Sequence, residues 1–270
     1  MLTDATVNQL RLLRLDGMAE AYDRQRSSPD LGTLSFDERF AMLVDSQWAR
    51  QQNLALERRL KRARLRQNAC LEDIDWEARR GLKRELVAQL STSDWVRQAR
   101  HCLITGPTGV GKSWLACALA QKACRDGHRV VYSSATKLFR DLLAASVDGT
   151  LTALIRRLSR PALLVIDDWG LEQARRGQYR DFLELVDERQ DRGSLLLTSQ
   201  MPPDSWHEVV GDPTVADAIL DRIVHRAYRI DLDGESMRRP PQAATRPSSP
   251  AQPDGLHGQT VQHPVHGGKL

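Results

Sequence analysis

The chain has 270 residues and a mass of 30.4 kDa, room for one large domain or two modest ones. Its four cysteines are too few for a disulfide framework and show no C-x-x-C spacing, which excludes a disulfide scaffold and argues against zinc; the net charge of +4 is small, so its placement matters more than its size. The longest apolar run, Trp114 to Ala120, is far too short for a membrane span, and the first twenty residues carry no signal-peptide core, so a reduced cytoplasmic location is expected.

From the start of the chain, Val7, Leu10, Leu15, Met18 and Tyr22 recur at helical spacing and suggest one buried face. Ser35-Phe36-Asp37-Glu38 has the form of a capping box, and Phe36, Phe40, Leu43, Val44 and Trp48 continue the helical period behind it. Between Ser46 and Cys70 the basic residues are Arg50, Arg58, Arg59, Lys61, Arg62, Arg64 and Arg66, against the single acid Glu57. Arg58, Arg62 and Arg66 would share one helix face with Arg59 and Lys61 beside them, while Leu56, Leu60 and Leu65 pack the other side. Such a strip can neutralise duplex phosphates with salt-dependent, sequence-tolerant affinity; the alternative is a solvated helix face. A further helical pattern runs from Trp76 to Leu90 with Leu82, Leu86 and Leu90 in one stripe.

Strand-like runs then alternate with helical patterns: His101–Thr105, Val130–Ser134, Leu163–Asp167, Leu195–Ser199 and Ala227–Leu232. That alternation predicts an α/β fold with a mostly parallel sheet covered on both faces. Residues 240–270 hold six of the twelve prolines and three histidines, a composition expected to remain disordered.

The run Gly106-Pro107-Thr108-Gly109-Val110-Gly111-Lys112-Ser113 matches the phosphate-loop pattern, between a strand-like run and a helical one beginning at Trp114. The glycines let successive amides curl towards a polyanion, and the following helix adds its positive end. Lys112 is expected to reach the β- and γ-phosphates and Ser113 to give a hydroxyl to Mg²⁺. An apolar strand ending in Asp167 and Asp168 follows; Asp167 is the expected metal partner and Asp168 the residue that orients or deprotonates water. The run ending Thr198-Ser199-Gln200 would lie beside it and aim polar groups at the γ-phosphate.

Together "LITGPTGVGKSWLACALA", "LLVIDDWGLE", "GDPTVADAILDRIVH" and "GESMR" resemble AAA+ ATPases of the P-loop NTPase class, within them the IstB-type transposition helpers, with DnaC-like helicase loaders as cousins. The resemblance covers about residues 34–239 and implies a core with a five-stranded parallel sheet. It also implies ATP and Mg²⁺ as ligands, assembly as a homo-oligomer on duplex DNA, and a transposase encoded by the same element as partner. Gln200 falls where a sensor residue is expected, and Arg222 where an arginine finger would serve the neighbouring subunit. The domains expected are a basic helical DNA-binding domain at 1–70, an ATPase domain without a helical lid at 71–239 and the tail at 240–270. Two other readings share the phosphate loop: a replicative helicase loader, and a small-molecule kinase, for which an arginine-rich lid is missing.

Overall fold

The computed structural model describes residues 2–28, 33–171, 174 and 176–237. The Pro/His-rich tail at 240–270 lies outside the described residues. The helices α1 (Leu2–Leu12), α2 (Asp16–Ser27) and α3 (Phe36–Ala63) come first. The expected face from Val7 to Tyr22 is broken between two of them, because Arg14 takes a left-handed conformation with φ of 59°. Where α2 meets α3, the buried Gln47 Oε1 accepts hydrogen bonds from the amides of Gly17 (2.9 Å) and Met18 (3.3 Å), which lack helical partners. The capping box forms as read: Ser35 N–H donates to Glu38 Oε2 (2.8 Å) and Glu38 N–H to Ser35 Oγ (3.3 Å). Phe36, Phe40, Val44 and Trp48 follow the helical period but face solvent.

The helix expected from Trp76 to Leu90 is confined to α4 (Arg84–Ser91). Residues before it are claimed by other partners. Asp75 Oδ1 caps the amides of Glu77 and Ala78, Gly81 has φ of +72°, and the Arg80 carbonyl accepts from Asp233 N–H. The short α5 (Asp94–Arg97) then leads into the core.

The core runs β1 (His101–Thr105), α6 (Lys112–Arg125), β2 (Val130–Ser134), α7 (Ala135–Val147), α8 (Leu151–Ser159), β3 (Leu163–Trp169), α9 (Arg176–Arg189), β4 (Ser194–Ser199), α10 (Trp206–Val210), α11 (Pro213–Val224) and β5 (Ala227–Asp231). The five strands pair in parallel in the order β2-β3-β4-β1-β5. One face packs on α3, α4 and α6; the other on α7 to α11, where Phe139, Trp169, Tyr179 and Phe182 form an aromatic cluster. The central β3 and β4 are apolar almost throughout because both faces are covered. In such sheets ligands bind at the carboxyl ends of the strands, where the order reverses; here that is the end of β1 beside β4.

At the other end of β1, His101 is buried and its Nδ1 accepts from Leu195 N–H (3.1 Å), joining β1 to β4. Burial, with the positive charge of Arg189 next, lowers its pKa from 6.5 to about 4. Between those values the unfolded chain takes up a proton that the native chain refuses, so stability falls as pH drops through the window and levels off below it. Denaturant unfolding should therefore show a loss of about 2 kcal/mol from this residue between pH 7 and pH 5. His101→Asn, which keeps an acceptor for Leu195 N–H, should lack that component; equal pH slopes for the two proteins would contradict it.

Candidate nucleotide-binding site

The loop between β1 and α6 is held in its curl by three glycines with positive φ: Gly106 at 142°, Gly109 at 91° and Gly111 at 96°. Two of them also make room for chain arriving from after β5. A Cβ on Gly106 would lie 2.1 Å from the Leu232 carbonyl oxygen, and one on Gly109 would lie 2.2 Å from Ser236 Oγ. Leu232 N–H donates to the Thr105 carbonyl (2.8 Å) and Met237 N–H to the Gly109 carbonyl (3.0 Å), so residues 232–237 form a strap along the loop. Arg80 supports the same place. Its guanidinium is buried, donates to the Val110 carbonyl at 3.5 Å, touches Met237 Sδ at 3.1 Å, and has its pKa lowered by burial. Within the loop, Lys112 Nζ donates to the carbonyls of Gly106 and Pro107, both at 2.7 Å.

Asp167 is fully buried near the end of β3, and side-chain hydroxyls from three other elements converge on it. Ser113 Oγ donates to Asp167 Oδ1 (2.9 Å), as does Thr198 Oγ1 from β4. Tyr132 OH, from β2, donates to Oδ2 (2.5 Å). Burial, then the carboxylate, pushes the Tyr132 hydroxyl far above the ordinary phenol range, so it remains a proton donor. The register of β3 on β4 slips by one residue between Ile166 and Trp169, and Asp168 takes φ of 63° with its N–H on Thr198 Oγ1 (2.9 Å). This bulge turns Asp168 out of the sheet, so adjacent carboxylates face different surroundings. Ser113 and Asp167 supply two hard oxygens side by side, a set that suits Mg²⁺ when nucleotide phosphates and water complete its shell.

Thr108 Oγ1 reaches Gln200 Oε1 (2.9 Å), which ties the loop to the end of β4. Val110 is buried, and Trp114 packs beside Leu65, Leu71 and Tyr132 rather than against open cleft. Arg222 lies in the last turn of α11, in an ion pair with Asp187 of α9.

The basic strip divides. Arg58, Lys61 and Arg62 are exposed near the end of α3, whereas Arg59 Nε donates to the Cys124 carbonyl of α6 (2.8 Å). The helix stops at Ala63 because Arg64 is left-handed, so Arg66 leaves the helix face on which it was expected. Its Nη1 lies 3.3 Å from Asp167 Oδ2 and 3.1 Å from Asp168 Oδ2. Sequence reading missed Tyr132, Arg80 and this placement of Arg66. Only Tyr132 left a trace: a polar ring in the strand that precedes the one carrying the two acids.

A phosphate loop after β1, acidic residues at the end of β3 and polar residues at the end of the intervening β4 define a P-loop NTPase core of the AAA+ type. The chain belongs to the IstB-like ATP binding protein family, whose pattern it matches over residues 8–244. It is 44% identical over 239 residues to the insertion sequence ATP-binding protein y4pL of Sinorhizobium fredii, covering 88% of this chain and 98% of that one. To the ATP-binding protein of insertion sequence IS1162 from Pseudomonas fluorescens it is 42% identical over 203 residues, 75% and 88% of the two chains. The fold is similar to that of DnaI, with a TM-score of 0.53 at 20% identity over 61% of this chain and 91% of that one. It is likewise similar to AMPPCP-bound DnaA from Aquifex aeolicus, with a TM-score of 0.52 at 21% identity over 63% and 51%. Among the described residues, no helix is long and apolar enough to cross a membrane.

The strap makes a prediction about glycine. Gly127→Ala, at φ of +95° with nothing within 4 Å of the added carbon, should cost about 1 kcal/mol from backbone strain alone. Gly106→Ala adds a clash with the Leu232 backbone and should cost about 2 kcal/mol or more in chemical denaturation, besides weakening nucleotide binding. Equal costs would mean that the strap does not lie on the loop.

Proposed function

We propose that this chain is the ATP-dependent helper of an insertion-sequence transposase: a cytoplasmic protein that binds and hydrolyses ATP with Mg²⁺, assembles as a homo-oligomer on duplex DNA, and promotes target selection and strand transfer by the transposase of its own element. The observation that carries the ATPase part is the hydrogen bond of Ser113 to Asp167 at the mouth of the phosphate loop. The names of relatives at 44% and 42% identity, which tie them to insertion sequences, favour transposition over helicase loading. The likeness to DnaI does not separate the two, because it concerns the fold alone.

In this reading the loop amides from Gly106 to Trp114 and the start of α6 cradle the phosphates, and Lys112 exchanges its two loop carbonyls for phosphate oxygens. Ser113 and Asp167 hold Mg²⁺, which when bound neutralises charge on the polyphosphate. Asp168, 27% exposed on its bulge, orients the attacking water, and Gln200 reports to the loop through Thr108. Arg222 leaves Asp187 to stabilise the transferring phosphoryl group in a neighbouring protomer. Arg58, Lys61 and Arg62 bind the duplex from α3, with Arg59 and Arg66 already engaged within the protein.

Lys112→Ala should weaken binding of a fluorescent ATP analogue by at least about tenfold, whereas Arg222→Ala should bind it normally and lose about a thousandfold in turnover. Normal hydrolysis by either variant would remove the corresponding assignment. Charge reversal at Arg58, Lys61 and Arg62 should weaken duplex binding and flatten the slope of log K against log salt by about 2 to 3, since each phosphate that is no longer neutralised removes about 0.9. An unchanged slope in fluorescence anisotropy would take this end of α3 out of the DNA interface.

A further inference from the structure

Arg66 stands apart from the rest of the basic strip. It follows α3 by three residues, beyond the left-handed turn at Arg64, and its side chain is 50% exposed. Leu65 and Ala69, on either side, pack near Cys117 and Ala118 of α6, so the backbone here is fixed while the guanidinium reaches outward. That guanidinium bridges the two carboxylates that close the nucleotide site, at 3.3 Å from Asp167 and 3.1 Å from Asp168. Asp167 Oδ2 already accepts from Tyr132, and Oδ1 from Ser113 and Thr198, so the arginine completes the surround of the buried acid. Among the described residues it is the cationic partner of Asp168.

Two consequences follow from charge alone. A divalent cation drawn to Asp167 meets a guanidinium already bound there, and like charges at that distance oppose one another. Duplex phosphates lying along Arg58, Lys61 and Arg62 would be a second anionic partner for a half-exposed arginine four residues further on.

We propose that Arg66 is a positioning residue that links DNA to the ATP site: in the absence of DNA its guanidinium holds Asp168 and competes with the divalent cation at Asp167, and duplex bound at the end of α3 draws it away. This rests on the ATPase and DNA-binding reading above and adds a regulator within the same chain. By linkage, DNA then raises the affinity for Mg²⁺ with nucleotide, and Mg²⁺ with nucleotide raises the affinity for DNA by the same factor.

The test is an Mg²⁺ titration of the full chain with a fluorescent, non-hydrolysable ATP analogue, with and without a mixed-sequence duplex, reading analogue binding rather than turnover. In the wild type, saturating duplex should lower the half-saturating Mg²⁺ concentration about fivefold. Arg66→Ala should start at that lower value and show no response to duplex. Arg66→Lys, which keeps the charge but not the two-carboxylate bridge, should fall between them and retain part of the response; it also serves if the alanine variant melts early. A wild type indifferent to bound duplex, or an Arg66→Ala titration superimposed on the wild type, overturns the inference. A wild type that binds no analogue at any Mg²⁺ concentration instead overturns the ATP-site reading itself, and one that binds no duplex overturns the DNA reading.

Discussion

A carboxylate with no exposed surface organises this protein. Removing Asp167 from water costs on the order of several kcal/mol unless donors replace the lost hydration. The donors come from everywhere except its own strand: Ser113 from the first turn of α6, Thr198 from β4, Tyr132 from β2 and Arg66 from the segment after α3. The three hydroxyls must each arrive at their own place for the acid to be satisfied, so the carboxyl ends of β2, β3 and β4 are held in register around one side chain. The bulge that follows is part of the same solution. It lets Thr198 serve both neighbours, donating to Asp167 and accepting from Asp168 N–H, and leaves the second acid facing outward.

The phosphate loop is shaped from behind by chain distant in sequence. Arg79–Gly81 precedes the core, and Leu232–Met237 follows its last strand. They meet through Asp233 N–H on the Arg80 carbonyl and at Gly234, where an added Cβ would lie 2.5 Å from the Arg79 carbonyl oxygen. Among the described residues the chain after β5 forms no helix, and the strap lies over the loop. The glycines thus have two duties: positive φ for the curl, and the missing Cβ for the strap.

Much of this was legible in the sequence, for physical reasons that differ by element. Buried parallel strands read as short apolar runs because both faces are covered, and the reading of His101–Thr105 and Val130–Ser134 agrees with the structure at both ends. The capping box and phosphate loop were legible because each depends on neighbours within a few residues. What failed depended on remote partners. The Trp76–Leu90 pattern gives way to loop because the strap, some 150 residues later by numbering, claims Arg80 and crowds Gly81. Arg66 looked like one more positive charge at helical spacing; no local rule says that Arg64 will turn left-handed and send it to Asp168. Nor does periodicity say which apolar face is covered: Phe36, Phe40 and Trp48 keep the period, yet the inward position is Gln47.

The path from the proposed DNA interface to the nucleotide site is short because the end of α3 and the segment after it are tied to the two ends of α6. Arg59 donates to the Cys124 carbonyl near the end of α6, and Leu65 and Trp114 share a cluster near its start, next to Ser113. Helices packed side by side in this way move together, so a load applied to the exposed basic end of α3 has little freedom to dissipate within the core. The part that remains free to respond is the one ion pair on this path that is half in water. An arginine–carboxylate pair with that exposure is worth about 1 kcal/mol or less, whereas the donors buried around Asp167 are far costlier to displace. The weakest link in the cluster is thus the link nearest to the proposed DNA interface. A charge arriving there can exchange the arginine without unmaking the site that the other three donors hold.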